Sequence, residues 1–169
     1  MKRKLAIVFF VALIALILPM LSFAAVNIGD SAPDFSLVDL GGKSVNLSLL
    51  RGNVVLLNIW GTFCQPCIAE LPSLNRLYLD LKDKGFVVVG LAVDSSAGPV
   101  KSLVTADRIA YPVVMDPKQE VFSKKYATYV LPVTYLIDRR GVVVQKFFGE
   151  EKWDSAEMKQ KIAGLLNRK

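Results

Sequence analysis

Apolar residues fall along the chain in short runs separated by Gly, Pro, Asp and Ser, and the runs differ in period. Val54-Val55-Leu56-Leu57-Asn58-Ile59-Trp60 is interrupted only by Asn58, the pattern of a central strand covered on both faces. From Ile68 the apolar positions Leu71, Leu74, Leu77, Tyr78 and Leu81 recur at steps of three and four. That spacing predicts an amphipathic helix, and Gly85 is placed to close it. Residues 86–93 form a second continuous apolar run; with a helix as the connection, this strand pairs in parallel with the first.

The pattern on either side is shorter in range. Residues 35–38 and 44–47 flank Gly41-Gly42 and read as a hairpin. Residues 94–99 read as a loop, 100–108 as a short helix, 112–115 as a strand and 118–126 as a helix after Asp116-Pro117. Residues 133–137 and 142–148 flank Asp138-Arg139-Arg140-Gly141, a second hairpin. A last helix over 155–167 turns Met158, Ile162, Leu165 and Leu166 inward. Strands alternating with helices and ending in an antiparallel pair define an α/β class, and residues 25–169 read as one domain without repeats or linkers.

Residues 1–24 stand apart from this pattern. Lys2-Arg3-Lys4 precedes 14 uninterrupted apolar residues from Leu5 to Leu18, then Pro19 and the small residues Ser22 and Ala24. This is the layout of a secretory signal peptide, with an uncleaved anchor as the alternative. Removing the three basic residues of that segment from 21 Lys+Arg against 15 Asp+Glu leaves a net charge of only +3. The remaining cations are scattered, so no nucleic-acid partner is expected. Export puts the protein in the periplasm or at the outer face of the cytoplasmic membrane, where thiols tend to be oxidised.

The chain has no histidine and two cysteines. Those counts exclude Ser-His-Asp and Cys-His nucleophile pairs and histidine-containing zinc, haem and copper sites. The two cysteines stand as Cys64-Gln65-Pro66-Cys67, directly after the first central strand and at the start of the long helix. A ring this short adds little chain-entropy stabilisation, so scaffolding is a poor use for it. A cysteine at a helix N-terminus has its thiolate favoured by free N–H groups and the helix dipole. Cys64 is therefore the attacking thiol, and Cys67, one turn further in, resolves the mixed disulfide. Pro66 suits the first helical turn, where its missing N–H costs nothing. Glu70, three residues beyond Cys67 on the same face, is the local acid/base candidate. Asp94, Asp116 and Glu120 read as turn formers and caps, and no metal site is expected.

Trp60 to Cys67, with Pro72 in the following helix and Leu131-Pro132 before a late strand, resembles the thioredoxin superfamily. The segment Gly29 to Phe35, Leu50-Arg51-Gly52 and Glu70 narrow the resemblance to exported thioredoxin-like proteins of the TlpA/ResA type, which are similar to the AhpC/TSA and redoxin group in their N-terminal half. The resemblance implies a thioredoxin-like fold: a mixed central sheet with helices on both faces, an N-terminal β-hairpin, and a strand-helix insert over 94–117. It implies a cis Leu131-Pro132 bond beside the cysteines, with Leu131 pairing its backbone to the substrate chain. It also implies proton handling by Glu70, since Asn58 holds the position of an aspartate in ordinary thioredoxins. Trp60, Phe63, Gln65 and Pro66 complete the expected substrate-binding set, with Trp60 read mainly as a packing wall. Pro132-Val133-Thr134 departs from the Pro-Thr-Thr common in the family, which alters the groove and leaves the chemistry.

The activity implied is thiol-disulfide exchange with no cofactor beyond the redox-active Cys64-Cys67 pair. The expected direction is reduction of protein disulfides such as those of apocytochrome c, with electrons from a membrane donor of the CcdA/DsbD type, and the protein is expected to be a monomer. Two alternatives are a thiol peroxidase and a Cu(I) metallochaperone using Cys64 and Cys67. The peroxidase pattern Pro-x-x-x-Thr-x-x-Cys is not matched, because Thr62 lies only two residues before Cys64.

Overall fold

A computed structural model describes residues 25–168; the segment read as an export signal, 1–24, lies outside the described residues. The Gly41-Gly42 turn joins β1 (Ser36–Val38) and β2 (Ser44–Asn46) in an antiparallel hairpin. There follow β3 (Val54–Trp60), α1 (Gln65–Leu81), β4 (Phe86–Ala92), α2 (Ala97–Ala106), β5 (Val113–Met115), β6 (Val133–Ile137), β7 (Val143–Phe148) and α3 (Ala156–Leu166). The last five strands form one sheet in the order β5-β4-β3-β6-β7. The β3-β4 and β4-β5 pairs are parallel, whereas β6 runs antiparallel to both β3 and β7. Among the described residues no helix is long and apolar enough to cross a membrane.

Alternation along β3 sorts its residues between two cores. Val54, Leu56 and Trp60 face Leu71, Leu74 and Leu77 of α1, Val100 of α2, and Met158 and Ile162 of α3. Val55, Leu57 and Ile59 face the other layer, built from Phe35, Val45, Leu47, Val121, Phe122 and Tyr126. Helices thus lie on both faces, three α-helices on one and a π-helical segment, Glu120–Lys125, on the other. Each fully buried Leu of α1 contributes roughly 1.5–3 kcal/mol. Asn58, on the α1 side of β3, is the one polar interruption, and it lies one turn of strand from the end that carries the cysteines.

Three elements differ from the pattern-based expectation. α1 begins at Gln65 rather than Ile68 and ends in a short 3-10 turn before Gly85, whose φ of 83° reverses the chain. α2 starts at Ala97 because Pro99 sits in its first turn, where no N–H is required; Arg108, at φ 51°, is outside it. The helix expected over 118–126 is a π-helical segment preceded by Gln119 at φ 53°. The cause is Asp116, whose buried carboxylate accepts the N–H groups of Glu120, Val121 and Phe122 at 2.9 Å each and so gathers the backbone tightly.

Candidate active site

The end of β3 delivers the cysteines. After Trp60 the chain turns through Gly61-Thr62-Phe63, closed by the Cys64 N–H donating to the Gly61 carbonyl at 3.1 Å. The turn is anchored to the end of β4, since Asp94 accepts hydrogen bonds from both the Thr62 N–H and the Thr62 hydroxyl. Cys64 is the N-cap of α1, with Pro66 in the first turn, and is joined to Cys67 by a disulfide with Cα atoms 5.2 Å apart. Cys64 is half-buried, Cys67 is completely buried, and Gln65 and Pro66 between them are exposed. No side chain caps this helix end, so a Cys64 thiolate would meet first-turn N–H groups that have no helical partner.

Below Cys67, one helical turn along α1, lies Glu70. It is only 1% exposed. Asn58 Nδ2 donates to Glu70 Oε1 at 2.7 Å and also to Thr134 Oγ1 at 2.8 Å. Glu70 Oε2 accepts from the Trp153 indole Nε1 at 2.9 Å and from the Glu151 backbone N–H at 3.1 Å. Burial pushes the carboxyl up from 4.5 to about 7; the three hydrogen bonds oppose this, and the nearby Glu150 charge adds to it. A carboxyl at that value, one helical turn from Cys67, can take up or release a proton near neutral pH.

The substrate-facing residues divide into two groups. β6 pairs Val133 with Ile59, so Leu131-Pro132 lies at the cysteine end of the sheet; its peptide bond is cis. Pro132 is buried, Leu131 half-buried, and Tyr129 and Val130 before them are 78% and 51% exposed. Phe148, opposite Val133 on β7, extends this apolar rim, and Phe63, 67% exposed, stands immediately before Cys64. Trp60 does not belong to the rim and its assignment to substrate binding is corrected: it is fully buried under α1 and has no surface with which to touch a substrate. Its indole stands over Gly90, where a Cβ would come within 3.1 Å of Nε1. Asp94 and Asp116 spend their oxygens on backbone N–H and hydroxyl donors.

Thr134, Glu151 and Trp153 were not found from sequence. Trp153 is 83 residues from Glu70 along the chain, beyond any periodicity argument. The one available signal was a lone aromatic within the polar run Glu150-Glu151-Lys152-Trp153-Asp154-Ser155, the mark of a loop anchored by its large side chain.

A redox disulfide at the N-terminus of a helix, fed by the central strand of a mixed sheet and flanked by a cis-proline loop, defines a thioredoxin-fold thiol-disulfide oxidoreductase. The comparison with known proteins agrees at a finer level. The chain belongs to the AhpC/TSA family, matched over residues 28–146. It is 38% identical over 131 residues to the thiol-disulfide oxidoreductase ResA of Bacillus anthracis, covering 78% of this chain and 75% of that one. With ResA of Bacillus subtilis strain 168 it shares 36% identity over 125 residues, 74% of this chain and 69% of that one. A thiol:disulfide interchange protein of the thioredoxin family from Chlorobium tepidum TLS superimposes with a TM-score of 0.72 at 26% identity, covering 85% of this chain and 100% of that one.

Proposed function

We propose that the protein is exported and works as a reductant of disulfides in other exported polypeptides, with apocytochrome c as the substrate class and a membrane thiol donor of the CcdA/DsbD type as its electron source. The observation that carries the direction is the buried carboxyl of Glu70 one helical turn from Cys67. Negative charge at that place disfavours thiolate in the pair, and a dithiol whose thiolate is poorly stabilised is the more reducing one. The exposed apolar rim of Phe63, Tyr129, Val130 and Phe148 suits an unfolded segment better than a small polar oxidant.

In the reduced protein the Cys64 thiolate attacks one sulfur of the substrate disulfide; that S–S bond breaks and the first substrate thiol leaves. Cys67 gives its proton to Glu70 and attacks Cys64 Sγ, which releases the second substrate thiol. Two electrons have passed to the substrate, and the protein is left with the Cys64–Cys67 disulfide. Redox titration against dithiothreitol tests the direction: a potential nearer about −270 mV than about −120 mV is expected. A value at the oxidising end, with a strongly depressed Cys64 pKa, would overturn it. Cys67→Ala, which cannot resolve the mixed disulfide, should trap an oxidised apocytochrome peptide on Cys64; no adduct from a reactive Cys64 counts against the substrate class.

A further inference from the structure

We propose that Trp153 is a positioning residue for Glu70, and that through it the loop 149–155 sets the pH range in which the inner cysteine works. The inference rests on the reading of Glu70 as proton acceptor for Cys67. Trp153 is completely buried, and the hydrogen bond from its indole Nε1 goes to Glu70 Oε2 at 2.9 Å. The Glu151 N–H of the same loop donates to the same oxygen, while Asn58 Nδ2 serves Oε1. Donors on both oxygens hold the carboxyl plane in one orientation, with Oε2 turned to the loop and Oε1 to β3.

The indole is placed independently of the bond it makes. Its ring meets Phe147 edge-on at 5.1 Å between centroids. The Trp153 backbone N–H donates to Ser73 Oγ at 3.3 Å, and that hydroxyl donates in turn to the Glu70 backbone carbonyl at 2.9 Å. The loop is thus pinned to the turn of α1 that carries Glu70.

An indole N–H donates and cannot accept, so it favours the carboxylate over the carboxylic acid. A proton taken from Cys67 is directed to Oε1, the oxygen facing Asn58. Asn58 Oδ1 is buried without a partner, and rotation of that amide would let it accept from the protonated carboxyl and from the Thr134 hydroxyl together. The other ionisable groups facing Glu70 are Glu150 of the same loop, Tyr111 from the segment before β5, and the cysteine pair on its own helix. Burial keeps the Tyr111 phenol neutral, and Glu150 opposes ionisation of Glu70.

The experiment reacts reduced full-length protein with Ellman's reagent in stopped flow across a pH series. The first thionitrobenzoate leaves on attack by Cys64; the second leaves when Cys67 resolves the mixed disulfide, and its rate reports the inner thiol. In wild type the second rate should inflect near pH 7. Trp153→Phe keeps a ring against Phe147 and should move the inflection upward by about one pH unit, the size of one hydrogen bond to a charged group. Ser73→Ala, which frees the Trp153 backbone N–H, should move it the same way by less. In a Glu70→Gln background the inflection near pH 7 should be gone and Trp153→Phe should change nothing further. An unmoved inflection in both Trp153→Phe and Ser73→Ala, or a shift that persists with Glu70→Gln, overturns the positioning role. An inflection retained near pH 7 in Glu70→Gln alone overturns the proton-acceptor reading beneath it.

Discussion

Replacing Glu70 by Gln tests the buried carboxyl through folding stability, without any assay of turnover. Its pKa of about 7 in the folded protein against 4.5 without the fold is a shift of about 2.5 units, or about 3 kcal/mol at 1.36 kcal/mol per unit. The sign follows from proton counting. Between about pH 4.5 and about pH 7 the folded protein holds a proton on Glu70 that the unfolded chain has released, so unfolding free energy falls as pH rises through that window. Below it both states are protonated and no penalty exists; above it both are ionised and the whole penalty is present. Gln does not titrate, so the variant lacks this slope. Its amide also has to be accommodated: the carbonyl can accept from Trp153 and Glu151, and the NH2 can donate to a rotated Asn58. That cost is independent of pH and cancels in the comparison. Urea unfolding of the disulfide form at about pH 4 and about pH 8 measures the effect. Moving from the lower pH to the higher, the stability of Glu70→Gln relative to wild type should improve by about 3 kcal/mol. A relative stability that stays constant to within about 0.5 kcal/mol would refute the burial argument.

Other positions give sharp expectations. Gly90→Ala would press a Cβ to 3.0 Å from the Tyr111 ring and 3.1 Å from Trp60 Nε1, and both rings are buried, so thermal unfolding should show a loss of about 1–3 kcal/mol. Asp116→Ala strands the N–H groups of Glu120, Val121 and Phe122; chemical denaturation should register a loss of about 2–4 kcal/mol, with near-wild-type stability ruling out the capping role. Phe63→Ala removes an exposed ring and should leave stability within about 0.5 kcal/mol. It should raise KM for an oxidised polypeptide while leaving the rate with a small aromatic disulfide unchanged, and an equal effect on both would remove Phe63 from the docking rim.

The sheet was legible because its strands carry their own signatures. β3 and β4 are continuous apolar runs, and the period of three and four in α1 supplies the parallel crossover between them. The cysteines and Glu70 were legible because they lie on one element with a fixed helical spacing. What escaped depends on distant groups. Nothing local in residues 118–126 reveals that Asp116 will collect three N–H groups and wind the backbone into a π-helical segment. Trp153 and Thr134 reach Glu70 and Asn58 only because the sheet order sets β6 beside β3, with β7 and its following loop next in line. Trp60, read mainly as a packing wall, entered the substrate-binding set because it is next to the motif in sequence; β3 is covered on both faces, so neither face of the strand leaves its ring exposed.

The placement of the acid has a mechanistic consequence. In ordinary thioredoxins, which this chain resembles, the acidic group stands on the central strand, where this chain has Asn58. Here Asn58 Nδ2 and Glu70 Oε1 are 2.7 Å apart, so the carboxyl occupies the same polar pocket and enters it from the helix. A strand aspartate is fixed by its own backbone, buried between neighbours in the sheet. A helix glutamate is longer and has to be steadied by what surrounds it, in this case Asn58 from β3 and two donors from the loop after β7. The carboxyl proposed as proton acceptor for the inner thiol is therefore tied to a surface-reaching loop whose Glu150 is exposed. In the role proposed for Glu70, changes in that loop tune the thiol chemistry through the two hydrogen bonds it gives the carboxyl.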